Sequence, residues 1–344
     1  MKLLRFLLFP FAILYDIITS IRNWFFDVGI LKSTSFKVPV IAVGNLSVGG
    51  TGKSPQIEYL IRLLKNDFRV ATLSRGYKRK TKGFQVVNSK HIATDVGDEP
   101  LQFFKKFGEE ITVSVDADRT NGIQQLLKES KSPQIVLLDD AYQHRKVKAS
   151  TYVLLTKYND LFVDDFILPT GNLRESKRGA SRAGAIIVTK CPKSISEIEQ
   201  QKIKKKIKLR KNQQLFFTRI SYDENLKGGV SKFAISDLKS IEVLLVTGIA
   251  NPTSLLSYLS EEKINYKHLK YPDHYDFTEN DILKIENEFE KLNSTKKIIL
   301  TTEKDYMRLE KKLKNVHFIT IKSQFITEEE KFNEFIIKEI KKMI

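Results

Sequence analysis

Lys53 and Ser54 follow the small residues Gly49-Gly50-Thr51-Gly52 and precede an amphipathic stretch from Ile57 to Leu64. An apolar segment, Val38 to Val43, leads into the turn. Strand, glycine turn, lysine and hydroxyl at the head of a helix is the order that wraps a backbone around an anion. Consecutive N–H groups converge on a phosphate, and glycines allow the φ angles and close approach this needs. Lys53 then reaches the β- and γ-phosphates, Ser54 offers its hydroxyl to Mg²⁺, and the helix adds its positive end. The expected cradle is Ser47, Val48, Gly49, Gly50, Thr51, Gly52, Lys53 and Ser54. The strict G-x-x-x-x-G-K-[ST] pattern would have glycine where this chain has Ser47. A second acidic feature matches the loop: the apolar run Ile135 to Leu138 ends in Asp139-Asp140. Carboxylates at the end of a buried parallel strand face the nucleotide and can hold Mg²⁺ or its waters.

Other candidate groups also fall at strand ends. Ser74-Arg75-Gly76-Tyr77 closes the strand from Phe68 to Leu73; there Arg75 could fork onto a phosphate and Tyr77 could meet a ring or hydroxyl. Asp98 and Glu99 stand ahead of a helix, as caps or as a general base. Arg119 follows the strand from Ile111 to Val115, Arg174-Glu175 is a charged pair in a loop, and His274 lies among carboxylates in Tyr271 to Thr278. No strand is followed by a guanine-reading Asn/Thr-Lys-x-Asp: Thr189-Lys190-Cys191-Pro192 lacks the aspartate, and Thr302-Glu303-Lys304-Asp305 has the wrong spacing. ATP is the expected nucleotide.

To carry these groups the chain must alternate strands and helices, which predicts an α/β fold with a mostly parallel sheet. The reading is a P-loop NTPase domain plus a smaller C-terminal α/β domain, joined by a short two-stranded linker. Residues 1–30 are expected to form an apolar membrane-interface helix, 31–212 the P-loop domain, 213–240 the linker (strands at 214–222 and about 230–235) and 241–344 the second domain.

With 344 residues and 41% hydrophobic content the chain can build two cores, and disorder is excluded as its class. A single cysteine, Cys191, excludes an intramolecular disulfide framework and a multi-cysteine zinc site. The net charge of +17 suits phosphates or anionic lipid without choosing between them. The uncharged run Phe6 to Tyr15 would rise about 15 Å as a helix, half of a hydrocarbon core. An in-plane helix is favoured, with Arg5 and Arg22 near headgroups and Tyr15 and Trp24 at the interface. Lys202 to Lys211 reads as a solvated basic face or a lipid contact.

Taken in order, Val43-Gly44-Asn45-Leu46-Ser47-Val48-Gly49-Gly50-Thr51-Gly52-Lys53-Ser54-Pro55, Ser74-Arg75-Gly76-Tyr77, Gly97-Asp98-Glu99-Pro100, Leu138-Asp139-Asp140-Ala141-Tyr142-Gln143-His144, Leu173-Arg174-Glu175 and Tyr271-Pro272-Asp273-His274 resemble the tetraacyldisaccharide 4'-kinase family of Gram-negative bacteria. The resemblance spans nearly the whole chain, and Ser47 belongs to that family's variant of the loop. It implies ATP-dependent phosphorylation of the 4'-hydroxyl of a tetraacyl glucosamine disaccharide 1-phosphate, a lipid A precursor. The implied place is the cytoplasmic face of the bacterial inner membrane, against an anionic surface, as a peripheral or monotopic protein with no nucleic acid and no obligate protein partner. It further implies ATP and Mg²⁺ as cofactors, Lys53 and Ser54 on the nucleotide, Asp139 and Asp140 with Ser54 on the metal, and Asp98 as base oriented by His274. Arg75, Tyr77, Arg119, Arg174 and Glu175 would line the phosphate and sugar sites. Asn172 stands where the family has proline, and Gly184 where it tends to have aspartate. The competing reading is a membrane-associated P-loop ATPase or switch that acts on a protein partner.

Overall fold

The structure, a computed structural model, describes residues 5–344; the first four residues of the expected N-terminal segment lie outside the described residues. In chain order the elements used below are α1 (Phe9–Asp27), β1 (Val40–Asn45), α2 (Lys53–Leu64), β2 (Val70–Ser74), β3 (Gln85–Val86), α3 (Asp98–Phe107), β4 (Thr112–Val115), α4 (Arg119–Leu126), β5 (Ile135–Asp139), β6 (Thr151–Lys157), β7 (Ala185–Thr189), α5 (Glu197–Ile207), β8 (Gln214–Tyr222) and β9 (Lys227–Gly228). There follow β10 (Glu242–Thr247), α6 (Thr253–Glu261), β11 (Tyr266–Lys270), α7 (Glu279–Glu290), β12 (Lys297–Thr302), α8 (Glu303–Leu309), β13 (Val316–Ile319), β14 (Ile321–Phe325) and α9 (Glu329–Lys341).

Nine strands form the large sheet in the order β14-β8-β7-β6-β1-β5-β2-β4-β3, parallel except at its two edges, where β14 and β3 run antiparallel to their neighbours. β1, β5 and β7 are buried along their whole length, because helices cover both faces. Alternation sorts the side chains: Ile41, Val43, Ile135 and Leu137 join α2 and α9 on one face. Val40, Ala42, Val136 and Leu138 meet α4 on the other. β1 lies between β5 and β6, so the glycine loop leaves the middle of the sheet at its carboxyl end, where open α/β sheets hold ligands. The second sheet, β11-β10-β12-β13-β9, is parallel apart from β9.

The chain departs from the expected boundaries in two places. Gln214–Tyr222 is not a free linker strand: Phe216 and Phe217 are buried on opposite faces, and the strand extends the large sheet parallel to β7. The expected strand near 230–235 is absent; its place is taken by Lys227–Gly228, paired with β13. The tail also returns. β14 pairs with β8, and α9 seats Phe332, Phe335, Ile336 and Ile340 in the core of the large sheet. The second sheet is therefore inserted between two neighbouring strands of the first. At Gly184, an added Cβ would lie 2.9 Å from both Phe335 Cζ and Thr151 Oγ1, so the close approach of α9 demands glycine there.

α1 has an inverted arrangement. Its apolar residues face outward, with Phe11 63%, Leu14 56%, Ile18 56% and Trp24 55% exposed, while Ala12 is its only buried residue. Its polar groups hold the body. Tyr15 donates to the Arg174 carbonyl at 3.1 Å, Arg22 to the Gln143 carbonyl at 3.1 Å and Asn23 to Glu175 at 2.8 Å. Arg5, expected with Arg22 at headgroups, instead bonds Asn172. Both guanidiniums are drawn to the protein because they meet acceptors in the loops at 140–145 and 172–175. Among the described residues no helix is long and apolar enough to cross a membrane.

Candidate active site

The glycine loop is built by its backbone. Gly49 and Gly52 have φ of +98° and +88°, the left-handed region in which a side chain is strained. Gly50 does not share it; there the lysine of the next loop, Lys190, brings its ammonium within 4.0 Å of where a Cβ would sit. Flanking bonds fix the loop: Val48 donates to the Asn172 carbonyl at 2.8 Å, and Thr189 donates its hydroxyl to the Thr51 carbonyl at 2.7 Å. Thr51 is buried with its own hydroxyl unpaired. Ser47 bridges to Leu173, so the serine that replaces the first glycine lies in extended pairing and needs no special φ. Lys53 opens α2, with its ammonium 3.7 Å from Asp140.

The two adjacent carboxylates differ in environment. Asp139 ends β5 buried, with Oδ1 unpaired and Ser74 Oγ 3.5 Å from Oδ2. Burial, then the charges of Asp140 and Glu99, push its carboxyl up to about 7. A buried carboxylate oxygen with no donor is the kind of group a cation can satisfy. Asp140 sits in the left-handed region at φ 47° and accepts from Arg174 at 3.0 Å. Burial works against its charge, yet Lys53 and Arg174 outweigh burial and hold it below the ordinary range. Among the described residues no three His, Cys, Asp or Glu side chains converge as a metal cage. Asp139 and Asp140 offer the hard carboxylate oxygens that Mg²⁺ takes one or two at a time while it keeps several waters.

Across from this loop, Asp98 opens α3 and its side chain is 1% exposed. Its position depends on two glycines: Gly76, at φ +69°, and Gly97, at φ +96°, pack so closely that a Cβ on Gly97 would lie 3.1 Å from the Gly76 Cα. His274, from the loop after β11, brings Nδ1 to 2.7 Å from Asp98 Oδ2, and its backbone is left-handed at φ 54°. The Tyr77 ring lies 5.2 Å from the imidazole.

Sequence reasoning missed three cations here. Arg308 forks onto Asp98, Nε to Oδ1 at 2.8 Å and Nη2 to Oδ2 at 3.1 Å. Lys304 Nζ lies 2.8 Å from His274 Nε2. Lys106 is shared between Glu58 and Glu303, each at 2.8 Å, and joins α3 to α8. The i, i+4 spacing of Lys304 and Arg308 put them on one helix face, but nothing local named their partners. Burial works to raise the Asp98 carboxyl, and the hydrogen bonds from His274 and Arg308 more than offset it, holding it below the usual range.

Two residues expected at the substrate turn inward. Arg119 is buried, donating to the Asp116 and Ala117 carbonyls at 3.1 Å, and burial lowers its guanidinium to about 10. It backs Asp139 rather than lining a surface. Glu175 is buried among Asn23, Gln143 and Arg182, three donors that tie α1 to the body. Arg75 and Tyr77 are exposed.

Comparison with known proteins bears on the family of the whole chain. The sequence model of the family described as tetraacyldisaccharide-1-P 4'-kinase matches residues 4–341. A tetraacyldisaccharide 4'-kinase of Flavobacterium johnsoniae is 56% identical over 343 residues, covering 99% of this chain and 98% of that one. One from Bacteroides thetaiotaomicron is 42% identical over 349 residues, covering 96% and 92%. The crystal structure of the apo form of LpxK from Aquifex aeolicus in complex with ATP is similar at a TM-score of 0.78 and 33% identity, covering 98% of this chain and 99% of that one.

Proposed function

This chain belongs to the tetraacyldisaccharide-1-P 4'-kinase family and is a lipid kinase, and we propose how its residues divide the work. ATP is the phosphoryl donor, and the acceptor is the 4'-hydroxyl of a tetraacyl disaccharide 1-phosphate. The loop from Ser47 to Ser54 cradles the phosphates and Lys53 neutralises charge on the β- and γ-groups. Ser54, Asp139 and Asp140 would hold Mg²⁺, which would supply positive charge to offset that of the phosphates. As the 4'-oxygen bonds to the γ-phosphorus and the bond from phosphorus to the β-phosphate oxygen breaks, the hydroxyl proton passes to Asp98, the base, which His274 orients. Arg174, Arg75 and Tyr77 serve the phosphate and sugar groups. The observation that carries this reading is the 2.7 Å bond between Asp98 and His274, contributed by different sheets. A switch acting on a protein has no need of such an acceptor base.

The outward apolar face of α1 supports a site at an anionic membrane surface, in bacteria the cytoplasmic face of the inner membrane. Beside it a groove of about 1070 Å³ is lined by Phe6, Phe166, Lys202 and Lys206. This favours lipid contact for that basic stretch.

Incubation with γ-labelled ATP and the tetraacyl disaccharide 1-phosphate tests the reaction: label should appear in lipid, and label found only as free phosphate would sink it. For the membrane surface, replacing Phe11, Leu14 and Ile18 by serine should weaken sedimentation with anionic vesicles roughly tenfold or more. Unchanged sedimentation contradicts the role of α1.

A further inference from the structure

Asp98 is not held by His274 alone. Arg308 meets both of its oxygens in the planar fork that matches a carboxylate. With the imidazole on Oδ2, three of the roughly four acceptor positions of the group are filled, which leaves one on Oδ1. An ammonium carries donors and no acceptor, so Lys304 at Nε2 sets the histidine tautomer: Nε2 accepts and Nδ1–H donates to Asp98. Both cations come from one face of α8.

Fastening the two sheets together does not require this arginine. Lys106 with Glu303, and Lys105 with Glu310, already join α3 to the segment of α8 and its end, away from His274. We propose that Arg308 is a positioning residue of the phosphoryl transfer, fixing the Asp98 carboxylate against His274 so that the pair presents one ordered proton acceptor. The inference rests on the kinase reading above. It goes beyond it by adding a residue that acts through Asp98.

The charges around the pair decide the sign of its pH dependence. α8 contributes Arg308, Lys304 and Asp305. The loop of His274 contributes Asp273, 4.0 Å from Nε2, and α3 contributes Glu99, 3.5 Å from Lys304. Removing the guanidinium takes away the cation that bonds the carboxylate directly. The pair then holds its proton to higher pH, and the acid limb of the kcat profile moves up.

The test compares wild type, Arg308→Gln, Arg308→Lys, Asp98→Asn and the Asp98→Asn/Arg308→Gln double variant on the lipid acceptor. For Arg308→Gln the expected result is a kcat lowered by roughly 30- to 100-fold with the ATP KM unchanged. Its acid limb should rise by about one pH unit. The double variant should be no slower than Asp98→Asn, and added guanidinium should restore part of the rate. Arg308→Lys should keep the acid limb near wild type and lose part of kcat, and it serves as the test where Arg308→Gln fails to fold. A wild-type kcat and limb in Arg308→Gln overturn the proposal. So does a rate loss with the limb unmoved, additive with Asp98→Asn and insensitive to guanidinium, which is the behaviour of a structural staple. A wild-type enzyme that leaves the acceptor unphosphorylated would instead count against the kinase reading.

Discussion

On the proposed assignment, the nucleotide side and the acceptor side of the site are made of different materials. The loop from Ser47 to Ser54 is one continuous stretch shaped by backbone angles at Gly49 and Gly52, and its partners Asn172 and Thr189 hold it by its own main-chain groups, the Val48 N–H and the Thr51 carbonyl. The acceptor side is made of side chains: Asp98 and His274 are 176 residues apart, Asp98 and Arg308 210 apart, and charge brings them together. A site made by backbone is as durable as its strand and helix. One made by side chains across two sheets is as durable as the seam between them.

That contrast can be broken at four points. The largest effect belongs to Lys53→Ala, expected to lower kcat/KM for ATP roughly 10³-fold in steady-state assays, since it removes charge from the transferring group itself. Asp98→Ala should lower kcat roughly 10²-fold while the ATP KM stays within about twofold. If that KM rises as far as kcat falls, the two sides are not separable.

At the seam, the effect is on stability. Burial, then the charge of Glu58 on the shared Lys106, push the Glu303 carboxyl up to about 7, against about 4.3 in an unfolded chain. The folded state binds this proton more tightly, so the contribution is full below about pH 4 and is lost as pH rises through about 7. Glu303→Gln should remove that loss and raise the unfolding free energy at pH 8 by about 1–3 kcal/mol relative to wild type, read from urea midpoints. A lower midpoint at pH 8 would show that the charged pair with Lys106 dominates.

Gly52→Ala is the mildest. Its left-handed φ should cost about 1–2 kcal/mol, appearing as weaker ATP binding by calorimetry with the acid limb of kcat unmoved.

The same contrast governs what the sequence discloses. Ser47 to Ser54 and Asp139-Asp140 are legible because spacing along one strand–turn–helix is the geometry. Arg119 reads as a strand-end cation and Glu175 as half of a charged loop pair; in the fold Arg119 turns back onto the carbonyls of Asp116 and Ala117 in its own turn, and Glu175 is turned inward by Asn23 and Arg182. Arg308 carried no local signal beyond its spacing from Lys304. The return of β14 and α9 to the large sheet was equally hidden, because an amphipathic helix states that it has an apolar face and not which core receives it.

α1 grips the rim of the site through Tyr15, Arg22 and Asn23 while turning Phe11, Leu14 and Ile18 away. A catalyst held at a membrane surface by that face, as proposed, would meet its lipid in two dimensions. Its rate should then follow the mole fraction of acceptor within the interface, and adding inert detergent at constant total acceptor should slow it by surface dilution alone.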